Sequence, residues 1–400
     1  MNISHTNTLS KVSFSIEQAV AAIRGVLEQL DVPRTLHQPL FQGHEWDYLK
    51  DCIDTGWVSS VGSYVDRIEV MLAEYTGAKR AVAVVNGTAA LFIAMKLAGV
   101  EPGDEVLIPT LTFVATANAV AYCGATPHLA DCEFETLGMS PTKLEDYLAD
   151  IAQIDGEITR NRFTKARIKA VIPMHTFGHP VDLDPLVELC KRWNLEMIED
   201  AAESLGSFYK QRHTGTFGRI GILSFNGNKI VTTGGGGALL FNSDEDAQLA
   251  KHVTTTARRP HKWEYFHDML GYNFRMPNLN AALGCAQLEN LPIFLERKRK
   301  LALRYVEAFR NVSGAKVVEE PPLSRSNYWL NALVLDEGDA FQRDALLEST
   351  NAIGIMTRPA WTLMHHLPMY KNCPRMDLSV AESLERRIVN IPSSVSRIGS

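Results

Sequence analysis

One lysine in this sequence stands where a side-chain amine could do covalent chemistry. Lys229 follows the apolar run Ile220 to Phe225 and precedes four consecutive glycines, Gly234 to Gly237. A lysine beside hydroxyls and glycines is typical of two kinds of site, a loop that binds phosphate and a lysine that forms a Schiff base. The P-loop pattern places its glycines before the lysine. Because the glycines follow Lys229 here, the sequence disfavours a P-loop-like nucleotide-binding module.

A Schiff-base lysine that serves a pyridine cofactor needs an acidic partner for the ring nitrogen. Asp200 is a candidate, because it ends an apolar run and opens the segment Asp200-Ala201-Ala202-Glu203. The alternative interpretation of Lys229 is a solvated loop lysine. The strand, hydroxyls and glycines around Lys229 favour the chemical interpretation over the solvated one.

A second candidate site lies at a strand-to-helix turn. The apolar run Ala81 to Val85 leads into Asn86-Gly87-Thr88-Ala89-Ala90 and then into an apolar helix. A tight glycine turn at a helix start leaves backbone N–H groups and the positive end of the helix dipole available to an anion. We therefore expect either a phosphate site or an ordinary strand-to-helix turn at this position.

Strand-like and helix-like segments alternate between residues 81 and 240. This alternation is typical of a mostly parallel sheet with helices on both faces. Ligands of such sheets bind at the carboxyl ends of the strands. We therefore expect the Asn86 turn, Asp200 and Lys229 to meet at one edge of the sheet. The pattern changes from Pro292 onwards and predicts a small C-terminal α/β domain. Helices are predicted on either side of Pro292, at 281–291 and 296–310, and a final helix is predicted near Ala381 to Val389.

The chain before this alternating region predicts one more helix. Ser15-Ile16-Glu17-Gln18 fits a capping box, and the apolar residues that follow have helical spacing up to Leu30. Pro33 would close this amphipathic helix, whose purpose the sequence leaves open.

The motifs resemble those of the DegT/DnrJ/EryC1/StrS sugar aminotransferases. The resemblance runs from about Leu36 to near the C-terminus and depends on the Asp200 to Glu203 segment, on Ser224-Phe225 with Lys229, and on Thr232-Thr233-Gly234. It implies a fold-type-I α/β enzyme, similar to aspartate aminotransferase, that uses pyridoxal 5′-phosphate (PLP). The predicted parts are an N-terminal helical extension (1–35), a large PLP-binding domain (36–290) and a small C-terminal domain (291–400).

The resemblance also implies roles for individual residues. Lys229 would carry PLP and act as the base, and Asp200 would keep the pyridine nitrogen cationic. Phe113 would stack on the ring, and His175 would lie close to the site. Asn273 would reach the PLP phosphate of a second copy, so the active site would be shared across a homodimer. The residues implied to bind the cofactor are Thr88, Ala89, Phe113, Asp200, Glu203, Ser224, Lys229 and Asn273.

The implied reaction moves an amino group from glutamate to a nucleotide-linked keto sugar. The Asn-Gly-Asn-Lys and Gly-Gly-Gly-Gly segments are similar to those of the LegC and bacillosamine-type transaminases, which aminate C4 of UDP-linked 4-keto-6-deoxy-N-acetylhexosamines for bacterial surface glycans such as O-antigen. A GDP- or dTDP-linked sugar is the alternative substrate. Candidate substrate contacts are Trp57, Ser59, Arg258 and His365, the last in a loop with Arg358 to Trp361 that is predicted to face the sugar.

Two other functions are compatible with the same fold. A sugar dehydratase of this fold carries histidine at the position of the PLP lysine, and Lys229 disfavours it. A non-catalytic sensor that keeps the PLP fold is disfavoured by the intact Asp200 and Lys229 pair and by the absence of an appended DNA-binding motif.

Composition excludes several further classes of protein. Apolar residues make up 46% and charged residues 22%, as in ordinary globular proteins, and a formal charge of −6 disfavours a general nucleic-acid surface. The six cysteines show no metal-binding spacing, and Gly178 and Pro180 disfavour a helical metal pair of His175 with His179. With no long apolar run and a polar segment from Met1 to Ser15, we expect a cytoplasmic enzyme without a metal or a membrane anchor.

Overall fold

The structure is a computed structural model that describes residues 14–396. The helices are α1 (Ile16–Gln29), α2 (Glu45–Thr55), α3 (Ser63–Thr76), α4 (Gly87–Leu97), α5 (Val114–Tyr122), α6 (Pro141–Ile151), α7 (Leu183–Arg192), α8 (Asp244–Thr254), α9 (Asn278–Phe309), α10 (Arg343–Ala352) and α11 (Ser379–Glu385). Short 3-10 turns cover Thr176–Gly178, Glu337–Gln342 and Met364–His366.

The strands belong to one large sheet and several small ones. They are β1 (Arg80–Val84), β2 (Glu105–Pro109), β3 (Thr126–Ala130), β4 (Ala152–Asp155), β5 (Ile158–Asn161), β6 (Ile168–Val171), β7 (Glu196–Asp200), β8 (Phe208–Tyr209), β9 (Arg212–His213), β10 (Ile220–Ser224), β11 (Gly237–Phe241), β12 (Ala315–Val317), β13 (Ser324–Arg325), β14 (Asn331–Leu335), β15 (Arg358–Pro359) and β16 (Ile388–Ile391).

The large sheet has seven strands in the order β1-β11-β10-β7-β6-β2-β3. From β10 to β3 every neighbouring pair is parallel, whereas β11 runs antiparallel to both β1 and β10. The strands are nearly continuous apolar runs, such as Ile220–Ser224, because helices cover both faces. The mostly parallel sheet predicted from the sequence is therefore confirmed.

Side-chain caps fix the starts of two helices that the sequence predicts. The Oγ of Ser15 accepts the Gln18 N–H at 3.3 Å, so the predicted N-cap of α1 is present. At α4, Asn86 Oδ1 accepts the Ala89 N–H at 2.7 Å. Each cap satisfies one of the backbone donors that a helix start leaves without an intrahelical partner.

A second, antiparallel sheet has the order β12-β14-β16-β15 and forms the core of the C-terminal part. Its strand β16 corrects the prediction of a final helix near Ala381 to Val389. The helix α11 ends at Glu385, and Ile388–Ile391 is a fully buried strand paired with β14. Two β-branched isoleucines and a valine favour this pleated, buried position over a helix.

Helix α9 replaces two helices that the sequence predicts on either side of Pro292. It runs without interruption from Asn278 to Phe309, so the predicted domain boundary at residues 290 and 291 falls inside it. Its first half packs on α2 and α3 and its second half on α1, and this packing offsets the hydrogen bond that the proline removes. Neither α9 nor any other helix of residues 14–396 is both long and apolar enough to span a bilayer.

The described part of the predicted N-terminal extension packs on the C-terminal part of the chain. Ile23 and Leu27 of α1 are buried in one apolar cluster with Leu301 and Tyr305 of α9 and with residues of β14 and β16. Residues 1–13 of the predicted extension, which include most of its polar start, lie outside the described residues. The division of the chain into three parts stays a prediction.

Candidate active site

A cavity of about 320 Å³ opens at the carboxyl ends of the parallel strands. It collects side chains that follow β1, β2, β7 and β10, which are far apart in the sequence. This is the edge of the sheet at which the sequence predicts a ligand site. The predicted site residues that line it are Thr88, Phe113, Asp200, Glu203, Ser224 and Lys229.

Lys229 lies in the turn after β10 and points its amine into this cavity. Its Nζ donates to Glu203 Oε1 at 3.1 Å. The same nitrogen lies 4.0 Å from the centre of the Trp329 ring. Only 12% of the side chain is exposed, so the amine is held between a carboxylate and an aromatic face and is largely shielded from water.

Asp200 is the last residue of β7 and is almost fully buried. Thr116 Oγ1 donates to its Oδ2 at 2.7 Å, and the Ala202 N–H donates to its Oδ1 at 3.2 Å. Burial raises the pKa of the carboxyl group, while these hydrogen bonds and Lys229 oppose the rise. A buried carboxylate of this kind gains most from a cationic partner, such as a protonated ring nitrogen.

Glu203 is buried beside Lys229. Its Oε1 accepts the lysine amine, and its Oε2 accepts the Phe177 N–H at 3.0 Å. Burial raises the pKa of Glu203 to about 7, although Lys229 opposes the rise. The carboxyl group can therefore hold or release a proton near neutral pH, in direct contact with the lysine amine.

The predicted phosphate site has the geometry of an anion cradle. The start of α4 approaches β10 so closely that a Cβ on Gly87 would lie 3.0 Å from the Cβ of Ser224. Thr88 and Ser224 place two hydroxyls on the cavity next to this positive helix end. Ala89 lies outside this group, since its N–H already caps the helix on Asn86 and its side chain lines a neighbouring cavity.

Phe113 and Asn273 differ in how they lie relative to the cavity. Phe113 lines it with 49% of its surface exposed, and its ring meets the edge of Trp361 at a centroid distance of 6.4 Å. Asn273 is exposed and lies outside the cavity of its own chain, where its Oδ1 accepts the Arg275 Nε–H at 3.2 Å. Phe113 is therefore placed to cover a bound ring, whereas Asn273 faces outward.

The predicted substrate contacts Trp57 and Ser59 lie on an exposed loop outside the cavity of this chain. Asn278, the first residue of α9, anchors this loop. Its side-chain Nδ2 donates to the Trp57 carbonyl at 2.7 Å, and its backbone N–H donates to the Ser59 carbonyl at 2.6 Å. The loop is thus fixed by its backbone, with its side chains free at the surface.

Arg258 and His365 also lie outside the cavity lining. The guanidinium of Arg258 stacks 4.2 Å from the ring centre of Tyr265 in an exposed segment. His365 is buried, and its Nδ1 lies 2.9 Å from Thr110 Oγ1. His365, His366 and Glu382 place three possible metal-ligand atoms within 4.8 Å of one another. The absence of a metal stays a prediction.

His175, which the resemblance places near the site, is turned away from it. Its Nδ1 accepts the Val181 N–H at 3.2 Å, so the ring proton is on Nε2, which faces Glu199 Oε2 at 3.2 Å. Glu199 in turn accepts the N–H groups of Gly215 and Gly218. The buried His175 and Glu199 therefore support this turn and do not line the cavity.

Sequence reasoning missed Trp329, one of two tryptophans that form an aromatic wall of the cavity. Trp329 and Trp361 come from the C-terminal part of the chain and line the cavity opposite the sheet. The loop of Trp361 was expected to face the sugar, but Trp329 stood only at the start of an apolar run, and no spacing related it to Lys229. Asn226 and Asn228, from the predicted motif, also line the cavity.

The donor set of the cavity fits PLP. A nucleophilic amine, a buried carboxylate, a helix start with two hydroxyls and an exposed aromatic face are the groups that the aldehyde, the ring nitrogen, the phosphate and the ring of this cofactor require. The close approach at Gly87 supports this fit, because any larger residue would fill the space between the helix start and Ser224.

Fold and site together define a PLP enzyme of fold-type I that transfers amino groups. The sequence profile of the DegT/DnrJ/EryC1/StrS aminotransferase family matches residues 40–397, and the chain belongs to this family. The family and cofactor predicted from the sequence are confirmed, and the chain is a PLP-dependent sugar aminotransferase.

Individual relatives agree with this assignment over almost the whole chain. The chain is 36% identical to GDP-perosamine synthase of Caulobacter vibrioides, over 91% of this chain and 94% of the relative. It is 38% identical to the putative pyridoxal phosphate-dependent aminotransferase EpsN of Bacillus subtilis, over 90% of each chain. The crystal structure of the aminotransferase TlmJ from Streptoalloteichus hindustanus superposes with a TM-score of 0.81 at 28% identity, covering 92% of this chain and 94% of that one.

Proposed function

We propose that this enzyme transfers the amino group of glutamate to C4 of a nucleotide-linked 4-keto-6-deoxy sugar. The observation that carries the proposal is the position of the Lys229 amine, held between Glu203 and Trp329 at the edge of the sheet where Asp200 ends β7. An amine that is buried and oriented in this way is suited to move a proton beside a bound cofactor. The 4-amino sugar would serve a bacterial surface glycan.

Each residue of the cavity has one task in this proposal. Bound PLP supplies a conjugated ring that accepts the electron pair left when a proton leaves Cα of the amino acid. Lys229 takes this proton on Nζ. It gives a proton back from Nζ when the amino group passes to the sugar. Asp200 keeps a positive charge on the ring nitrogen. Glu203 contacts the lysine amine and can hold or release a proton beside it. Thr88, Ser224 and the start of α4 hold the phosphate.

The sugar could be linked to one of three candidate nucleotides, UDP, GDP or dTDP. The UDP-linked 2-acetamido-2,6-dideoxy-4-keto-hexose predicted from the sequence depends on resemblance around Lys229 and Trp57. Relatives named GDP-perosamine synthase from Caulobacter vibrioides, Escherichia coli O157:H7 and Vibrio cholerae, at 36 to 37% identity, favour a GDP-linked sugar. The GDP-linked 4-keto-6-deoxy sugar is therefore the first substrate to test.

The test is an absorbance titration of the purified holoenzyme. Glutamate should convert the visible band of the bound cofactor to the pyridoxamine form. GDP-, UDP- and dTDP-linked 4-keto-6-deoxy sugars, added separately, should then restore the band to different extents. The sugar that restores it fastest at the lowest concentration is the substrate. If none of the three restores the band although 2-oxoglutarate does, the proposed class of acceptor is wrong.

We further propose a homodimer in which Asn273 of each copy reaches the phosphate site of the other. Two observations support this arrangement, the outward position of Asn273 and the exposed apolar side chains of the preceding segment, Trp263, Phe266 and Leu270. Mixing two inactive variants, Lys229→Ala and Asn273→Ala, tests the sharing of sites. Activity should reappear in the mixed dimers, because one of their two sites would be intact. No recovery after subunit exchange would contradict a shared site.

A further inference from the structure

Trp329 contacts the turn of Lys229 at two separate points. The face of its indole ring lies 4.0 Å from Lys229 Nζ. Its Nε1–H donates at 2.7 Å to the carbonyl of Asn228, the residue immediately before the lysine. One side chain therefore touches both the reactive nitrogen and the backbone that carries it. The carboxyl group of Glu203, which also lines the cavity, contacts the same nitrogen.

Trp329 is itself fixed from the C-terminal part of the chain. Its backbone N–H donates to Asn327 Oδ1 at 2.8 Å, and its carbonyl accepts the Lys298 amine at 3.1 Å. Only 4% of the residue is exposed. Because the backbone is held, the residue is buried and the indole N–H is bonded to Asn228, the ring has little freedom to move away from Lys229.

The backbone of the turn alone does not fix the direction in which the Lys229 amine points. A lysine side chain has four rotatable bonds, and ordering it costs entropy. During each catalytic cycle this amine is released from the cofactor and must be recaptured, so it has to stay within the cavity while free. A carboxylate on one side and an aromatic face on the other restrict a cation to a narrow range of positions.

We propose that Trp329 is a positioning residue for Lys229, which holds the free amine by its ring face and fixes the backbone of the turn by its indole N–H. The ring contact and the hydrogen bond are separable, because phenylalanine retains an aromatic face but has no N–H donor. The alternative is that Trp329 only fills space between the sheet and the C-terminal part.

The rate at which Lys229 bonds covalently to PLP distinguishes a positioning role of Trp329 from a role that only fills space. In the full-length enzyme freed of its cofactor, the lysine amine and the added aldehyde condense with loss of one water molecule, and a visible band appears. The dependence of the observed rate on PLP concentration gives two quantities. One is the affinity of the first, non-covalent encounter, and the other is the limiting rate of bond formation. Positioning of the amine affects the limiting rate, whereas cofactor affinity depends on the other residues of the site.

The variants are Trp329→Phe and Trp329→Leu, with Trp193→Phe as the matched control. Trp193 also donates its indole N–H to a side chain, Glu145 Oε2 at 3.3 Å, but lies outside the cavity lining. We expect Trp329→Leu to lower the limiting rate about ten- to a hundredfold, since both contacts are lost. Trp329→Phe should lose about three- to tenfold, because a ring face remains. Trp193→Phe should leave both quantities unchanged.

Several results would overturn the proposal. A limiting rate in both Trp329 variants equal to that of the wild type would show that the tryptophan does not position the amine. A loss of PLP affinity and thermal stability with an unchanged limiting rate would show a purely structural role. If Trp329→Leu does not fold, the smaller change in Trp329→Phe still decides. No sugar is present in this experiment, so its outcome is independent of the proposed acceptor.

Discussion

Two lysines contact Trp329, one at its ring and the other at its backbone carbonyl, and they differ in access to the cavity and in partners. Lys229 lies over the indole ring, borders the cavity and is paired with the carboxyl group of Glu203. Lys298 of α9 is fully enclosed, and its amine donates to the carbonyls of Trp329 and Ser393. Burial without a carboxylate partner lowers the pKa of Lys298 to about 7.

The comparison shows that a neutral amine is not sufficient for a reactive site. Lys298 is close to half-neutral at physiological pH, yet no substrate can reach it, and it serves to hold backbone carbonyls. Lys229 has a carboxylate, an aromatic face and an opening at the edge of the sheet. Reactivity therefore follows from orientation and access, in addition to burial.

The strongest test of this difference removes the Lys229 amine. We expect Lys229→Ala to lower turnover by more than about 10⁴-fold, because it removes both the proton-transfer group and the covalent link to the cofactor. The visible band of the bound cofactor should disappear in the same variant. Lys298→Met is the control and should keep the band. A band that persists in Lys229→Ala would mean that another amine carries PLP.

Substitution of Asp200 tests whether the carboxylates around Lys229 contribute as much to turnover as access to the amine does. We expect Asp200→Asn to lower turnover about 10²- to 10⁴-fold, as breaking a buried charge pair with the ring nitrogen costs about 3–5 kcal/mol. Thr116→Val, which removes the donor to Oδ2 and a contact with the Thr112 hydroxyl but keeps the charge of Asp200, should have a smaller effect. Equal effects of both variants on turnover would show that orientation of the carboxylate, and not its charge, is decisive.

The pH dependence of stability distinguishes Lys298 from an ordinary lysine. Its pKa in the folded state is about 7, against 10.5 for the unfolded chain, so the unfolded chain binds more protons between these values. The contribution of Lys298 to the free energy of unfolding should therefore rise with pH across this window, by up to about 1.4 kcal/mol per pH unit. Urea unfolding of wild type and Lys298→Met at pH 7 and pH 9 measures this difference, and parallel pH profiles would refute the enclosed-lysine description.

Glu203 should show the opposite trend over a lower range of pH. Its pKa is raised from 4.5 to about 7 in the folded state, so the folded enzyme binds the extra proton. Its contribution to the free energy of unfolding is fully present below pH 4.5 and is lost as pH rises towards 7, by up to about 1.4 kcal/mol per unit. Glu203→Gln should remove this decline in unfolding experiments on the cofactor-free enzyme at pH 5 and pH 7. An unchanged slope would place the Glu203 proton elsewhere.

The residues on the sheet side of the cavity could be predicted from the sequence, because short apolar runs indicate where strands end. Asp200, Ser224 and Lys229 each follow or end such a run, and parallel strands bring their carboxyl ends to one edge. Trp329 and Trp361 could not be placed in the same way. They approach the cavity from the C-terminal part, and their positions depend on packing of α9 and the second sheet.

Local pattern also failed where tertiary contacts compete with it. Pro292 indicated a break between two helices, but packing on both sides keeps α9 continuous. Ile388 and Val389 were predicted to end a helix, although pairing with β14 makes Ile388–Ile391 a strand. Local pattern also does not show what the proposed substrate contacts on surface loops face, because in the proposed homodimer this would depend on a second copy of the chain.

Helix α9 has a consequence for how the cavity can open. It begins at Asn278, which anchors the Trp57 loop, passes Lys298, which holds Trp329, and continues to the cluster with α1, over a length of about 48 Å. A hinge at residues 290 and 291 would have to break hydrogen bonds within this rigid rod. We therefore expect substrate to enter through movement of the loop of Trp361, which lines the cavity, and not through a swing of one half of the molecule against the other.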